Sequence, residues 1–303
     1  MNSPIVVSMK YATASLLTLL AIGALPHSAK ADAVPAACMS TDSASRTMGT
    51  ASFGMSGYSA RLVGAEAVVH VQQVTVRDRQ GHLTLPNLRD ANDLVSLGLL
   101  KLVHDSSPAS CHGVDGRPAL RNLRDALHQG AVAEMIWNKV ALSDGSTHYS
   151  AEQITVTMRA SQAPGGIDVV VASSGLSAPG GSALPGSVNT TLTIPEQMLD
   201  STRTPSGKIT ISSLQALWAK GRLDGSGWIT PGRNAATSTG ALHIAITDLS
   251  DLLATIRPVV PTGVTTALSV AQFMGHHNGN QVLWDLALDG GILKVNSIPI
   301  PVN

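Results

Sequence analysis

From Glu66 onward the chain alternates apolar and polar residues in short runs, the period-two signature of strands with one buried face. Val69 and Val71 share one face and Val74 and Val76 the other, so the alternation changes phase at Gln72-Gln73, as a β-bulge or a break into two strands requires. Arg79-Gln80-Gly81-His82 reads as a turn into Leu83-Thr84-Leu85, a hairpin return. Ala133, Met135 and Trp137 alternate, as do Ile154, Val156 and Met158, and Ile167, Val169 and Val171 follow the turn at Pro164-Gly165-Gly166. Leu192 and Ile194, then Leu242, Ile244 and Ile246, extend the series. The final hairpin is the clearest element: Val282, Trp284, Leu286 and Leu288 share a face, Asp289-Gly290-Gly291 turns the chain, and Leu293 and Val295 return.

Helical spacing is rarer. Leu94, Leu97 and Leu100 predict a short helix, and Pro118 in a first turn with Leu120, Leu123 and Leu127, closed by Gly130, predicts a better one. Asp248 is placed to cap a helix in which Leu249, Leu252, Leu253 and Ile256 fall at i, i+3, i+4 and i+7, with Pro258 and Pro261 ending it. Thr265 to Phe273 reads as a further helix. Leu214, Leu217 and Trp218 fit helical spacing, yet Gly221, Gly225 and Gly227 suit a strand and turn equally well. Ser173 to Ser187, dense in Gly and Pro from Pro179 to Gly186, reads as a linker or loop. The pattern predicts an α+β fold, a large, mostly antiparallel sheet with a few short helices on one side.

The N-terminus follows other rules. Lys10, the apolar run Ala12 to Leu25, the break at Pro26-His27 and the small-residue triplet Ala29-Lys30-Ala31 stand in the order of an export signal. The run is too short to cross a bilayer comfortably as a helix. Residues 1–31 are therefore expected to be removed, leaving an extended leader over residues 32–57 and one β-rich domain over residues 58–303, with two halves meeting near 173–187. The expected location is periplasmic or secreted, with no transmembrane anchor in the mature chain.

Charge sharpens this picture. Basic and acidic side chains number 20 each, and charged residues are 13% of the 303, about half the roughly 25% usual in soluble domains. Such a surface has no electrostatic footprint for nucleic acid, and it leaves Ser, Thr, Asn and Gln to solvate the sheet. Two cysteines, Cys38 and Cys111, are expected to pair as a disulfide in an oxidising compartment. Ala36 and Ala37 before Cys38 offer a competing reading as a lipid acceptor, against which Pro35 stands where an aliphatic residue belongs.

Catalytic signatures are missing. Gly54-Met55-Ser56-Gly57 and Gly225-Ser226-Gly227 each fall one glycine short of a nucleophile elbow and read as loops, and Gly207-Lys208 precedes Ile209 where a phosphate loop needs a hydroxyl. His276-His277 points its rings apart. His104, His112 and Cys111 are the nearest approach to a metal set, and solvated loop histidines are the simpler reading. Glu66, Glu134, Glu152 and Glu196 are the only glutamates available for paired-carboxylate hydrolysis, while Trp137, Trp218, Trp228 and Trp284 are dispersed on strand-like faces that suit core packing. No catalytic, metal or cofactor residue is assigned.

Leu192-Thr193-Ile194-Pro195, Leu214-Gln215-Ala216-Leu217-Trp218, Gly240-Ala241-Leu242 and Asp289-Gly290-Gly291-Ile292-Leu293 closing with Ile298-Pro299-Ile300-Pro301 resemble an uncharacterised family of exported alphaproteobacterial proteins, a domain of unknown function. Leu293-Lys294-Val295-Asn296 is also similar to the ends of AsmA-like envelope proteins. That resemblance implies a curved sheet with helices on its concave side, able to cradle an apolar chain. The expected role is non-enzymatic: binding an amphipathic or lipidic molecule, or envelope support. Two alternatives stand beside it, a secreted hydrolase whose acid or metal site is assembled by folding, and a structural or partner-binding domain.

Overall fold

The structure, a computed structural model, describes residues 34–104, 111, 117–145, 147–179, 184–200, 207–232, 235–256 and 272–301. The strands are β1 (Met39–Asp42), β2 (Ser45–Met48), β3 (Ser52–Leu62), β4 (Val68–Asp78), β5 (Ala133–Asp144), β6 (Thr147–Ala160), β7 (Gly166–Ser174), β8 (Ser187–Pro195), β9 (Ile209–Leu217), β10 (Arg222–Thr230), β11 (Thr239–Thr247), β12 (His276–Asn278), β13 (Gln281–Asp289), β14 (Ile292–Val295) and β15 (Ile298–Pro301). The helices are α1 (Leu85–Val103), α2 (Arg117–His128), α3 (Gln197–Asp200) and α4 (Leu249–Ile256). Among the described residues the fifteen strands form one curved antiparallel sheet in nearly sequential order, with β1 and β2 both pairing β3, and β12 and β14 both pairing β13. The expected α+β class, antiparallel sheet and one-sided helices are all present.

Opposed residues of antiparallel strands point to the same face, so the register assigns the faces. The inner face carries Tyr58, Val71, Val140 and Ala151 in one row and Met55, Val74, Trp137 and Ile154 in another. α1 lies over β3, β4 and β5, and α2 packs on α1 and β6. Burial of Leu88, Leu94, Leu97, Leu100, Leu123 and Leu127 fixes them there.

The phase change at Gln72-Gln73 is real and lies within one unbroken strand. It belongs to a crease that runs across four strands: Gly57, Gln72, Lys139 and Glu152 occupy one row, and on each strand the buried face switches sides there. Gly57 and Lys139 take positive φ of 57° and 54°, so alternate strands twist through the row without any shift in register. Lys139 and Glu152 pair as ions on the crease.

Two expectations are corrected. Leu83-Thr84-Leu85 does not return as a strand: Thr84 is the N-cap of α1, its Oγ1 accepting from Asn87 N at 3.4 Å, with Pro in the first turn. Asp78 makes the turn, accepting from the backbone N–H groups of Gln80, His82 and Leu83 at 2.9, 2.6 and 2.8 Å, and from Val132 at 3.0 Å. The segment read as a leader enters the sheet from Met39 onward, as β1, β2 and the start of β3.

Residues 180–183 of the Gly/Pro-rich segment lie outside the described residues, and the rest joins β7 to β8 within the continuous sheet. The expected export signal and most of the helix expected at Thr265 to Phe273 also lie outside them. The helices expected at Pro118 and after Asp248, and the closing hairpin, stand where the spacing put them.

Candidate functional site

The core comes in two parts. The first joins β1 and β3–β9 to α1, α2 and α3, and the second gathers Leu249 and Leu253 of α4 on Val282, Trp284 and Val295. Between them lie β10 and β11, on which no residue is buried. Leu214, Leu223, Ile229, Leu242 and Ile244 line the inner face there partly buried, flanking the backbone of Gly225, Gly227 and Gly240. Gly227, at φ +153°, is required by a close approach: a Cβ there would stand 2.1 Å from the Ala241 carbonyl oxygen. The consequence is an apolar strip with a glycine floor and a closed core on each side.

The first core is specified by polar groups as well as aliphatic ones. Trp137 Nε1 donates to Asn92 Oδ1 at 3.0 Å, Ser96 Oγ donates to the Asn92 carbonyl at 2.9 Å, and Tyr58 Oη stands 2.8 Å from Ser96 Oγ, all buried. Burial, and then the Asp93 carboxylate, push the Tyr58 phenol well above its ordinary pKa, so this tyrosine stays neutral. These groups orient α1 on the sheet.

The outer face of β10, β11, β13 and β14 is different in kind. Ser226, His243 and Asp285 form one cross-strand row, with His243 Nδ1 2.8 Å from Asp285 Oδ1. The next row is Trp228, Ala241, Ala287 and Lys294. The two rows, with Ser297 of the β14–β15 turn, line an open depression of about 370 Å³. Lys208 Nζ sits 4.8 Å from the centroid of the Trp228 ring.

The residues singled out from sequence scatter across the fold. Cys38 and Cys111 are joined in a disulfide. That pairing removes Cys111 from any metal set, His104 Nδ1 faces Asp144 at 3.2 Å, and His112 lies outside the described residues. Among the described residues no three metal-ligating side chains come together.

Three of the four glutamates have separate side-chain partners: Glu134 pairs with Arg77 and Arg79, Glu152 with Lys139, and Glu196 Oε1 lies 2.8 Å from His128 Nε2. Partial burial alone would raise the Glu134 pKa, but the two guanidiniums outweigh it and hold that carboxylate below its ordinary range. Trp137 and Trp284 are core residues as expected, whereas Trp228 borders the outer depression.

Gly225-Ser226-Gly227, expected as a loop, is the middle of β10. The row through Ser226 escaped sequence reasoning because its members lie on three strands separated by long connections. The one local signal was His243 opposing the apolar face of Leu242, Ile244 and Ile246. The row has the residue types of an acyl-transfer triad, but its His243 and Asp285 side chains are both largely exposed to solvent.

An open antiparallel sheet, helices gathered on one face and a partly buried apolar strip between two cores place the chain in the α+β class. Residues 41–302 match a family described as an uncharacterised protein conserved in bacteria (DUF2125), and the chain belongs to that family. No curated protein and no solved structure matches it.

Proposed function

We propose that the protein is exported to the periplasm and binds one amphipathic, lipidic molecule along the inner strip of β10 and β11. The observation that carries this reading is a thinning of the core: aliphatic side chains continue across the sheet, but on β10 and β11 they are only partly buried, packed against the edges of the two clusters and fully inside neither. Burying such a strip under an acyl chain is favourable at about 25 cal/mol per Å² of apolar surface. Export is supported by the order of Lys10, the apolar run and Ala29-Lys30-Ala31, and by a disulfide that suits an oxidising compartment. The resemblance to AsmA-like envelope proteins agrees with an apolar cargo.

Native mass spectrometry and solvent extraction of protein purified from the periplasm test the proposal directly. The expected result is co-purified lipid, displaced by 1-N-phenylnaphthylamine in the wild type and absent from a Leu242→Asn, Ile244→Asn variant with an unchanged circular dichroism spectrum. Protein that carries no lipid and leaves the dye dark, or a variant that binds as well as the wild type, overturns it.

A further inference from the structure

We propose that the outer depression binds a saccharide ring carrying an anionic group, separately from the inner strip. The register gives the depression a definite plan. Ala241 and Ala287 form a floor of methyl groups between Trp228 on β10 and Lys294 on β14, three strand spacings or about 14 Å apart. Ala241 and Ala287 stand one strand spacing apart, about 4.8 Å, which is the breadth of one six-membered ring. Along one side stand Ser226, His243 and Asp285, which supply a hydroxyl, an imidazole and a carboxylate to ring hydroxyls.

His243 Nδ1 lies 2.8 Å from Asp285 Oδ1, so the imidazole and the carboxylate stand side by side along this edge of the depression. Trp228 offers an apolar aromatic surface of the kind that packs against the C–H face of a sugar. The charges decide the substituent. Lys294 lines one end of the floor, and Lys208, outside the lining, sits over the Trp228 ring at the other, while the acidic Asp285 lies beside His243. Both ends are therefore cationic, which suits a carboxylate or phosphate on the ring. The shallow, open form matches a ligand that keeps much of its hydration.

The test is saturation-transfer difference NMR on the full chain, with glucuronic acid and glucose as probes. Glucuronic acid is expected to receive saturation at its ring protons and to bind several-fold more tightly than glucose. Trp228→Ala is expected to weaken it by roughly tenfold, the scale of one lost aromatic contact. Lys294→Gln should bring glucuronic acid down to the glucose level, and Ala287→Leu, which fills the floor, should abolish both signals. Dye binding at the inner strip serves as the fold control, since none of these side chains lies on that face. The inference falls if glucuronic acid shows no transfer on folded wild type, if the two sugars bind equally, or if Ala287→Leu binds as the wild type does.

Discussion

Asp78 carries more local structure than any other single side chain described. Its carboxylate gathers four backbone N–H groups from two segments, the turn into α1 and the start of the approach to β5, so one residue fixes both. Burial alone would raise its pKa, but the four backbone donors outweigh that and hold it below the ordinary carboxylate range. With the folded pKa below the unfolded one, this stabilisation is fully present above about pH 4 and is lost as pH falls through the folded value. Glu134, held low by Arg77 and Arg79, acts in the same direction. Asp78→Asn should therefore cost about 3 kcal/mol at neutral pH and flatten the acid limb of a plot of Tm against pH, both measurable by calorimetry. None of this was legible beforehand, because Val74, Val76 and Asp78 read only as the end of an alternating strand. The Trp137–Asn92 bond was hidden for the same reason: each partner is unremarkable in its own element, and only tertiary packing joins them.

At the level of elements the sequence was most informative where side chains repeat and least where a turn sets the outcome. The strands at Val69, Ala133, Ile154 and Leu242 and the helix at Pro118 could be read from period alone. The second half of α1 was marked by Leu94, Leu97 and Leu100, but its start was not, since Leu83-Thr84-Leu85 alternates like a strand and only the cap and the Asp78 cluster begin the helix there. The crease was visible at Gln72-Gln73 on one strand, but its extension through Gly57, Lys139 and Glu152 is a property of register. The last strand shows how composition and register cooperate. Val295 and Ile298 flank a two-residue turn, Asn296-Ser297, with φ of 48° and 71°, which makes them the hydrogen-bonded pair. Pro299 and Pro301 then occupy the positions whose nitrogens face away from β14, so the edge of the sheet presents no N–H there. Replacing both with valine should restore those donors and promote edge-to-edge association, seen as a concentration-dependent mass by light scattering. A strictly monomeric double variant would refute the edge role.

For the whole molecule, the division of the core has energetic consequences. The disulfide joins residues separated by 73 positions, both in the first core, and restricts the unfolded chain by about 4 kcal/mol in the entropic account. Reduction should accordingly lower the stability of the first core while the α4 cluster on Val282 and Trp284 keeps its own transition, a difference that hydrogen exchange resolves strand by strand. Simultaneous loss of protection from β4 to β13 would mean that the two cores unfold as one. A further consequence follows from the order of the strands. Almost every strand lies beside its predecessor in the chain, so each can dock as soon as it arrives and none must wait for a distant partner. A polypeptide threaded through a pore from its N-terminus could zip shut behind the leading end, closing its covalent staple before the glycine-floored strands have even emerged.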